Sequence, residues 1–409
     1  MKSLQLDLWL AARNVLRQRR RSGVAVAAVG FGIVALLLAG GFIDFIFFAM
    51  REDAIHSHLG HVRMAKPGYH AKGLADPFAY LLPAQDPALE SMKGEPGMTL
   101  VAQRLSFTGL VSTGDSSLSC IGEGVEPAKE EKLSKMLLIE QGEPLSESDP
   151  KGIIVGQGLA QNLGVKPGDN LIVMATTAAG GINAIEGKVR GLFSTPTKAY
   201  DDVAIRIPLA MSRNLLKVDG SHVWIGLLDE TERTDAAVRA LRSASDGASF
   251  EVIPWLDLAD FYRKTVELFT RQVAVVKFII AVIIVLSISN TLTMSVMERT
   301  SEIGTSMALG MRRGRILRQF VFEGMVIGML GGTAGVVIGL ALAWSISSVG
   351  IPMPPPPGMA RGFTAEIHVG VALLRDALLI ALGTTLVASL LPAIRASRLN
   401  IVDALRTSR

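Results

Sequence analysis

Histidine is the residue type in this chain with the clearest potential to bind a metal ion, because four of the six histidines lie in one short stretch. These four are His56, His58, His61 and His70. If the stretch is helical, His58 and His61 lie on one face, and imidazole nitrogens at that spacing can bind a transition metal. The alternative is an ordinary polar surface next to a membrane. The spacing is a weak signal, so we predict no metal site.

Asp44 and Lys277 are the next candidates for chemistry, because each lies within or beside a long apolar run. Ionisable residues inside a membrane often handle ions or protons. Both residues, however, lie towards the ends of their runs, where a side chain can reach the lipid headgroups. The apolar interiors show no chain of carboxylates or histidines, which argues against a proton-driven transporter.

The sequence lacks the motifs by which common enzymes bind nucleotide, zinc or an acyl group. It contains no GxxxxGK(S/T) phosphate loop, no HExxH and no GxSxG. Cys120 is the single cysteine, which excludes an intrachain disulfide and a cysteine-based metal site. We interpret Cys120 as a small core residue rather than as a reactive thiol. The sequence therefore predicts no catalytic residue and no cofactor in this chain.

The composition indicates an integral membrane protein. The 409 residues are 49% hydrophobic and 19% charged, and the mean hydropathy is +0.38. Soluble domains rarely combine so few charges with long apolar runs. The formal net charge of +4 is too small to indicate nucleic-acid binding.

The longest helical pattern covers residues 256–297, which we predict to be a stalk followed by a membrane helix. No glycine or proline occurs between Pro254 and Gly304 to break it. The stretch from Phe278 to Met297 is uncharged and long enough to cross the hydrocarbon layer. Apolar residues recur at spacings of four and three along a coiled-coil-like seam, which predicts a partner helix beside it. The seam contains Tyr262, Val266, Phe269, Val273, Val276, Ile280 and Ile283.

Three further apolar runs complete a predicted set of four membrane helices, two of them extended as stalks. The predicted segments are a cytoplasmic amphipathic segment (1–22), membrane helix one with its stalk (23–59), an extracytoplasmic domain (60–255), a stalk with membrane helix two (256–297), a cytoplasmic segment (298–318), membrane helix three (319–348), a proline-rich outer loop (349–372), membrane helix four (373–396) and a cytoplasmic tail (397–409). Arginines gather before the first run, after the second and after the fourth, so the positive-inside rule places both termini in the cytoplasm. We predict a multi-pass protein of the bacterial inner membrane whose large domain is periplasmic.

Six glycines in the third apolar run form two rows with a spacing of four. One row is Gly324, Gly328 and Gly332, and the other is Gly331, Gly335 and Gly339. Such rows allow helix backbones to approach closely in lipid. They can pack helices inside one subunit or join two subunits, and the sequence leaves both open.

Residues 60–255 have mixed polarity and no long apolar run, so we predict a folded α+β domain. Its middle, about 116–219, forms a second lobe richer in strands, and the two ends of the domain contribute to the other lobe. The predicted strands are His61–Ala65, Met98–Phe107, Leu118–Gly122, Leu171–Ala175, Val189–Phe193, Val203–Ile207, Val223–Leu228 and Phe250–Ile253.

The segment from Glu298 to Met311, here named the 298–311 segment, is where energy could enter the molecule from the cytoplasm. Its small apolar face and the glycines that bound it are Ile303, Met307, Leu309, Gly304 and Gly310. A rigid knob of this kind can fit a groove on a cytoplasmic protein. The alternative is an amphipathic connector that lies on the bilayer.

Residues in and around this segment resemble the FtsX-like and MacB-type permeases, which are membrane subunits of ABC transporters. The resembling stretches are 290–292 (NTL), 296–304 (VMERTSEIG), 308–310 (ALG), 391–399 (LPAIRASRL) and 404–406 (ALR). The family commonly has proline where this chain has Ile401. Residues 12–14, 20–22, 154–160, 168–169, 191–193 and 200–201 also resemble the family, and the pattern is most similar to the lipoprotein-releasing LolC/LolE branch.

The resemblance implies that the chain acts in a complex and is not itself an enzyme. Two permease subunits, identical or homologous, would pair with two copies of a cytoplasmic ABC ATPase, and the ATPase would bind ATP and Mg. Closing of the ATPases would push the 298–311 segment, and the stalks would transmit the motion to the periplasmic domain. The resemblance then makes Glu298, Arg299 and Glu302 the polar fixings of the segment. Its docking face would be Ile303 and Met307.

The implied cargo is a lipoprotein, a lipid or another hydrophobic substrate. A periplasmic acceptor or adaptor protein and membrane lipids are further implied partners, whereas nucleic acid is not. The alternatives are an FtsX-like regulatory permease that controls a periplasmic enzyme, MacB-like efflux of peptides or drugs, and a standalone membrane enzyme or receptor. The missing catalytic motifs disfavour the last.

Overall fold

The structure is a computed structural model that describes residues 11–400 except 12, 16, 18, 74 and 355–361. The start of the predicted amphipathic segment, three of the loop prolines and the end of the tail lie outside the described residues. The chain divides into two compact units. The helical unit comprises residues 1–48, 265–352 and 364–409, and the sheet unit comprises residues 49–264 and 353–363.

The described helices and strands follow the chain in this order. The α-helices are α1 (Arg19–Ala54), α2 (Tyr69–Lys72), α3 (Pro87–Lys93), α4 (Pro127–Leu133), α5 (Gln157–Leu163), α6 (Lys198–Asp201), α7 (Leu209–Leu216), α8 (Thr234–Ala244), α9 (Trp255–Leu258), α10 (Asp260–Glu298), α11 (Thr300–Ala308), α12 (Arg313–Val349) and α13 (Val371–Ser397). The strands are β1 (Val62–Ala65), β2 (Met98–Ser112), β3 (Ser117–Val125), β4 (Leu138–Gly142), β5 (Gly152–Gly156), β6 (Asn170–Thr176), β7 (Ile182–Ser194), β8 (Ala204–Pro208), β9 (Val223–Leu228), β10 (Glu251–Pro254), β11 (Ile351–Met353) and β12 (Phe363–Ala365). A π-helical turn, Ile55–Leu59, follows α1, and short 3-10 turns occupy Pro77–Tyr80 and Thr231–Arg233.

Four helical stretches of the described chain are long and apolar enough to cross a membrane. They are Arg19–Ser57, α10, α12 and α13, with mean hydropathies of 2.5, 2.5, 2.1 and 2.2. Each corresponds to one of the four apolar runs in the sequence. Helix α10 is unbroken because it lacks glycine and proline, whereas α13 remains helical around Pro392.

The sheet unit is built on a ten-stranded sheet in the order β10-β1-β9-β2-β3-β8-β5-β7-β4, with β6 paired to β2 and β7. Strands β1, β9 and β10 bring together the two ends of this unit. The 15-residue strand β2 is the centre, because its first half pairs with β9 and its second half with β3 and β6. Strands β3–β8 come from the stretch that the sequence divides off as a second lobe, but β2 joins both parts into one sheet.

The two largest apolar clusters of the sheet unit pack against this sheet. In one, Trp224 packs with the apolar side of α8, including Val238 and Leu241. In the other, Leu159 of α5 and Leu215 of α7 pack onto the strands of the opposite half. Side chains alternate between buried and exposed along a strand that is covered on one face, and all of them are buried in a strand that is covered on both faces.

Each predicted strand overlaps an observed strand, and the strands that the sequence missed are β4, β5 and the two short strands β11 and β12. Four of the five residues of β4 are exposed, so no apolar alternation marks it. All five residues of β5 are buried, and a short continuous apolar run cannot be distinguished from a buried helix by its period.

The two glycine rows of α12 determine the packing of the helical unit. One row faces α13, where added side chains at Gly324, Gly328 and Gly332 would meet Ser389, Thr385 and Ala381. The other faces α1, where Gly331, Gly335 and Gly339 lie against Val29, Gly30 and Leu37. Both rows therefore pack against helices of the same chain, and the close approach requires residues without side chains.

Candidate functional site

The 298–311 segment begins at a sharp break between two helices. Helix α10 ends at Glu298 and α11 begins at Thr300, so Arg299 is the one residue between them. The Thr300 hydroxyl donates to the carbonyls of Val296, at 3.0 Å, and Met297, at 2.9 Å. These bonds satisfy carbonyl groups at the end of α10 and stabilise the break.

The apolar face of α11 points into the chain. Ile303, Gly304 and Met307 are buried, and the two large side chains pack with Val296, Ile316, Phe320, Ala393 and Ala396. Ile303 and Met307 therefore cannot form an exposed docking face, and that prediction is wrong. The physical reason is that an amphipathic helix next to a helix bundle buries its apolar side against its own chain.

Of the three large apolar residues in the predicted apolar face of the segment, Leu309 is the one that is exposed. Leu309 is 85% exposed and follows directly after α11. Gly310 has φ of +95°, a left-handed conformation that favours glycine, and it turns the chain towards α12. Thr305 and Ala308 are also exposed. Leu309 is thus the large apolar side chain of this segment that a partner could reach.

Ion pairs connect the three predicted polar residues to neighbouring helices. Glu298 pairs with Arg21 of α1, and Glu302 lies 4.0 Å from Arg17. Arg299 reaches the Oε2 atom of Glu302 from its Nε at 3.3 Å.

Glu323, the second carboxylate beside Arg299, was not among the predicted site residues. Its Oε2 atom lies 3.6 Å from the Nη1 atom of Arg299. Glu323 is 2% exposed although it belongs to a helix apolar enough to cross a membrane. It is the one carboxylate in the predicted third membrane helix, 319–348, and that fact could have identified it.

The predicted seam of α10 does not have one continuous partner helix among the described residues. Phe269 makes an edge-on contact with Phe47 of α1, with ring centroids 6.3 Å apart. Tyr262 instead contacts Trp255, at 5.1 Å. Val266 and Val273 are half-buried, and Val276 is exposed.

A buried cluster of charges in the sheet unit was also missed. Arg104 and Arg206 share Glu123 and Glu130, and Arg206 approaches Glu130 to 2.5 Å and Glu123 to 3.1 Å. Ser134 and Arg206 also donate to the carbonyl of Ser57, at 3.1 and 3.5 Å. The cluster therefore fixes the helical end that follows α1, a contact between residues distant in sequence.

The histidines do not assemble into a metal site in the described part of the chain, where no three potential ligands come together. His61 uses both ring nitrogens, because Nδ1 accepts from the Leu228 N–H and Nε2 contacts the Thr231 hydroxyl, each at 3.0 Å. Burial lowers the pKa of His61 to about 4. The side chain of His58 lies outside the described residues.

The other single candidates occupy structural positions. Lys277 pairs with Asp376 at 3.4 Å, and Asp44 is exposed near the end of α1. Cys120 is buried in the apolar core of the sheet unit, and burial raises the pKa of its thiol to about 12. A thiol with so high a pKa is unreactive at neutral pH.

Two families match the sequence. The MacB-like periplasmic core domain matches residues 22–244, which is more than half of the chain, and the FtsX-like permease C-terminal domain matches residues 274–401. The chain belongs to the MacB-like, FtsX-like permeases. The resemblance noted from the sequence motifs is thereby confirmed. This MacB-like permease is an ABC transporter permease with an extracytoplasmic domain of the MacB type.

Curated relatives of this MacB-like permease differ in how much of them it matches. LolC of Neisseria meningitidis, named as a lipoprotein-releasing system transmembrane protein, is 23% identical over 98% of this chain and 99% of LolC. MacB of Hyphomonas neptunium, named as a macrolide export ATP-binding/permease protein, is 35% identical over 50% of this chain and 30% of MacB. An uncharacterised ABC transporter permease of Methanocaldococcus jannaschii is 27% identical, over 52% of this chain and 53% of that protein.

Solved structures of related domains are only distantly similar to this MacB-like permease. The periplasmic region of MacB from Actinobacillus actinomycetemcomitans is 14% identical with a TM-score of 0.37, over 54% of this chain and 98% of that one. The extracellular domain of YknZ from Gram-positive bacteria is 12% identical with a TM-score of 0.35, over 47% and 98%. Nothing about function follows from likenesses at this level.

Proposed function

We propose that this permease transmits the movement of a separate ATPase to its sheet unit. The sequence contains no phosphate loop, so ATP and Mg would bind to the ATPase, present in two copies. The match with LolC over nearly the full length of both proteins supports a division of labour between a membrane subunit and a separate ATPase. A second permease, identical or homologous, would complete the complex.

The single-residue break at Arg299 is the observation that carries this proposal. Helix α11 follows α10 after Arg299 alone, and its apolar side is buried. At the break, Glu298 pairs with Arg21 of α1 and Arg299 pairs with Glu323 of α12. A packed element cannot absorb displacement by swinging freely. A push on its exposed side would therefore move the long helices to which it is attached.

The proposed docking surface is centred on Leu309 rather than on Ile303 and Met307. A large apolar side chain that projects from a tight turn fits a groove on a partner protein. Arg312 and Arg313 follow the turn and are exposed, which adds positive charge at its edge. An ATPase groove with an apolar floor and an acidic rim would complement this surface.

Two helices would carry the motion onward. Helix α1 continues through the π-helical turn to Leu59, and α10 begins at Asp260, so each contains residues of both units. The hydrogen bonds of Ser134 and Arg206 to Ser57 would prevent the end of the first helix from slipping.

The docking surface can be tested by replacing Leu309 with Asp. We expect at least a tenfold loss of the untagged ATPase that co-purifies with the permease in lipid nanodiscs. The matched control is Ile182→Asp in the sheet unit, because Ile182 is 82% exposed and far in sequence from the segment. Undiminished ATPase with Leu309→Asp would contradict the proposed docking surface, and absence of any ATPase with the unmodified chain would contradict the proposed function.

The proposed cargo is a lipidated protein or another hydrophobic substrate, by analogy with the full-length relative LolC. The 35% identity with MacB favours a second candidate, the export of a macrolide-like compound. Proteoliposomes containing the complex distinguish the two. Release of a fluorescent lipoprotein to a soluble acceptor supports the first, whereas ATP-dependent transport of a macrolide without lipoprotein release supports the second.

We further propose that both termini and the 298–311 segment are cytoplasmic and that the sheet unit is periplasmic. A membrane-impermeant maleimide should label Ile182→Cys in intact spheroplasts and Thr305→Cys only after lysis. Native Cys120 gives little background because it is buried. Labelling of both positions in intact spheroplasts would contradict the orientation.

A further inference from the structure

We infer that Glu323 is a positioning residue for the 298–311 segment, and that its ion pair with Arg299 makes the segment move together with α12. The inference rests on the proposed function for its consequence. The contact between Arg299 and Glu323, here named the joint, is a property of this chain and can be tested without an ATPase.

The buried environment of Glu323 favours keeping this carboxylate beside Arg299. The carboxylate is 2% exposed, and among the described residues no hydrogen bond reaches its Oε2 atom. Arg299 Nη1 at 3.6 Å is the cation paired with it. A buried carboxylate that loses its cation is left uncompensated in a medium of low polarity, and this is strongly unfavourable. The arrangement that keeps Arg299 beside Glu323 is therefore preferred over any in which α11 moves away.

Arg299 lies at the point where three helices meet. Its backbone connects α10 to α11, and its side chain contacts Glu302 of α11 and Glu323 of α12. A guanidinium group presents its donors in a rigid planar fork, so it can hold two carboxylates in a fixed relation. Lysine keeps the charge but lacks this fork, and it should hold the joint less well.

The other ion pairs of the segment are less able to hold it. The side chains of Arg17 and Glu302 are 76% and 53% exposed, and Arg21 with Glu298 is also largely open to solvent. Exposed pairs of this kind contribute little, because water and salt screen them. Arg17 therefore provides the control, since it approaches the segment from the exposed side and is not part of the pair between Arg299 and Glu323.

The first measurement is made on the permease alone in lipid nanodiscs. Spin labels at Thr305→Cys in α11 and Met329→Cys in α12, in a Cys120→Ala background, report the distance between the two helices. We expect a narrow distribution in the otherwise unmodified chain and with Arg17→Gln. Glu323→Gln should at least double its width, Arg299→Lys should broaden it to an intermediate degree, and the charge exchange Arg299→Glu with Glu323→Arg should narrow it again.

A distribution that stays narrow in Glu323→Gln overturns the inference. If Glu323→Gln does not fold, Arg299→Lys decides the question, and an unchanged width in that variant overturns the inference equally. A role limited to folding is not expected to give narrowing in the charge-exchange variant, so persistent broadening there also counts against a joint.

The second measurement adds the co-purified ATPase and MgATP. Glu323→Gln should retain the ATPase but lower its permease-dependent turnover at least fivefold, whereas Arg17→Gln should remain within twofold. If the unmodified permease does not change the turnover of the ATPase, the proposed function is refuted. The distance measurements would still show whether Glu323 and Arg299 hold the two helices together. Unchanged turnover in Glu323→Gln, with a permease-dependent unmodified complex, would overturn the role of the joint in transmission.

Discussion

Trp224, Arg104 and Arg206 are among the largest fully buried side chains of the sheet unit, whereas glycines make the closest helix contacts of the helical unit. The outer surfaces differ as well, because the helical unit exposes large apolar residues such as Phe31, which is 77% exposed. In water, burial of apolar surface drives such a core together. Between helices in lipid that driving force is absent, and close backbone approach takes its place. The two units of one chain are thus built for two solvents.

Buried charges differ between the units in the same way. In the sheet unit each of two arginines faces two glutamates, whereas in the helical unit Glu323 depends on Arg299. The cluster in the sheet unit fixes the residues around Ser57, and the pair in the helical unit fixes the 298–311 segment. Ion pairs hold a segment in place in both units, but in the cluster each glutamate has two arginine partners, whereas Glu323 has Arg299.

The largest effect is expected from Arg206→Met in the sheet unit. The substitution leaves Glu123 and Glu130 buried with one arginine between them, and breaking such a buried pair lowers the free energy of unfolding by about 3–5 kcal/mol. Hydrogen exchange of β8 and β3 peptides in the full-length protein measures the loss. Arg233→Met is the control, since Arg233 and its partner Asp229 are both exposed. A change below about 1 kcal/mol for Arg206→Met would show that the cluster is not needed for stability.

The next largest effect is expected from Gly335→Leu in the helical unit. A side chain there would meet the backbone of Gly30 and the side chain of Ile33, which forces α12 away from α1. Overpacking of this kind destabilises by about 1–3 kcal/mol. Thermal unfolding in detergent should show a lower midpoint for Gly335→Leu than for Gly383→Leu, because nothing lies within 4 Å of a side chain added at Gly383. Equal midpoints would remove the contrast between the two units.

A smaller effect is expected from acidification of the sheet unit. Burial lowers the pKa of His61 and of His222 to about 4. The unfolded chain takes up these protons near pH 6.5, so the stabilisation is complete above that pH and is lost as the pH falls towards 4. Between pH 7.5 and 5.5 each histidine should remove about 1 kcal/mol from the free energy of unfolding. Hydrogen exchange of β9 at both pH values tests this, and the difference should be smaller in His222→Gln.

The smallest effect is expected from Arg271→Gln on α10. Its pair with Glu267 is exposed on both sides and spans four residues of one helix. Such pairs contribute about 0.3–0.5 kcal/mol, so the thermal midpoint should be almost unchanged. A loss comparable to that of Gly335→Leu would place Arg271 in an interface with another molecule.

Elements with a clear period could be predicted from the sequence, and contacts between distant residues could not. The apolar runs predicted the four long helices, and runs of β-branched and aromatic residues predicted strands such as β9. The amphipathic face of α11 was also evident, but an apolar stripe is the same whether it contacts its own chain or a partner. For that reason Ile303 and Met307 were predicted to contact a partner, whereas they pack against their own chain. Arg206 and Glu130 lie 76 positions apart, and no local pattern brings them together.

Strand β2 determines how the sheet unit can come apart. That strand holds the two halves of the sheet together, because β9 pairs with its beginning and β3 and β6 pair with its end. The residues on either side of the stretch 116–219 should therefore melt in one cooperative transition rather than in two. A protease that nicks the unit would then release no half that persists as a folded fragment.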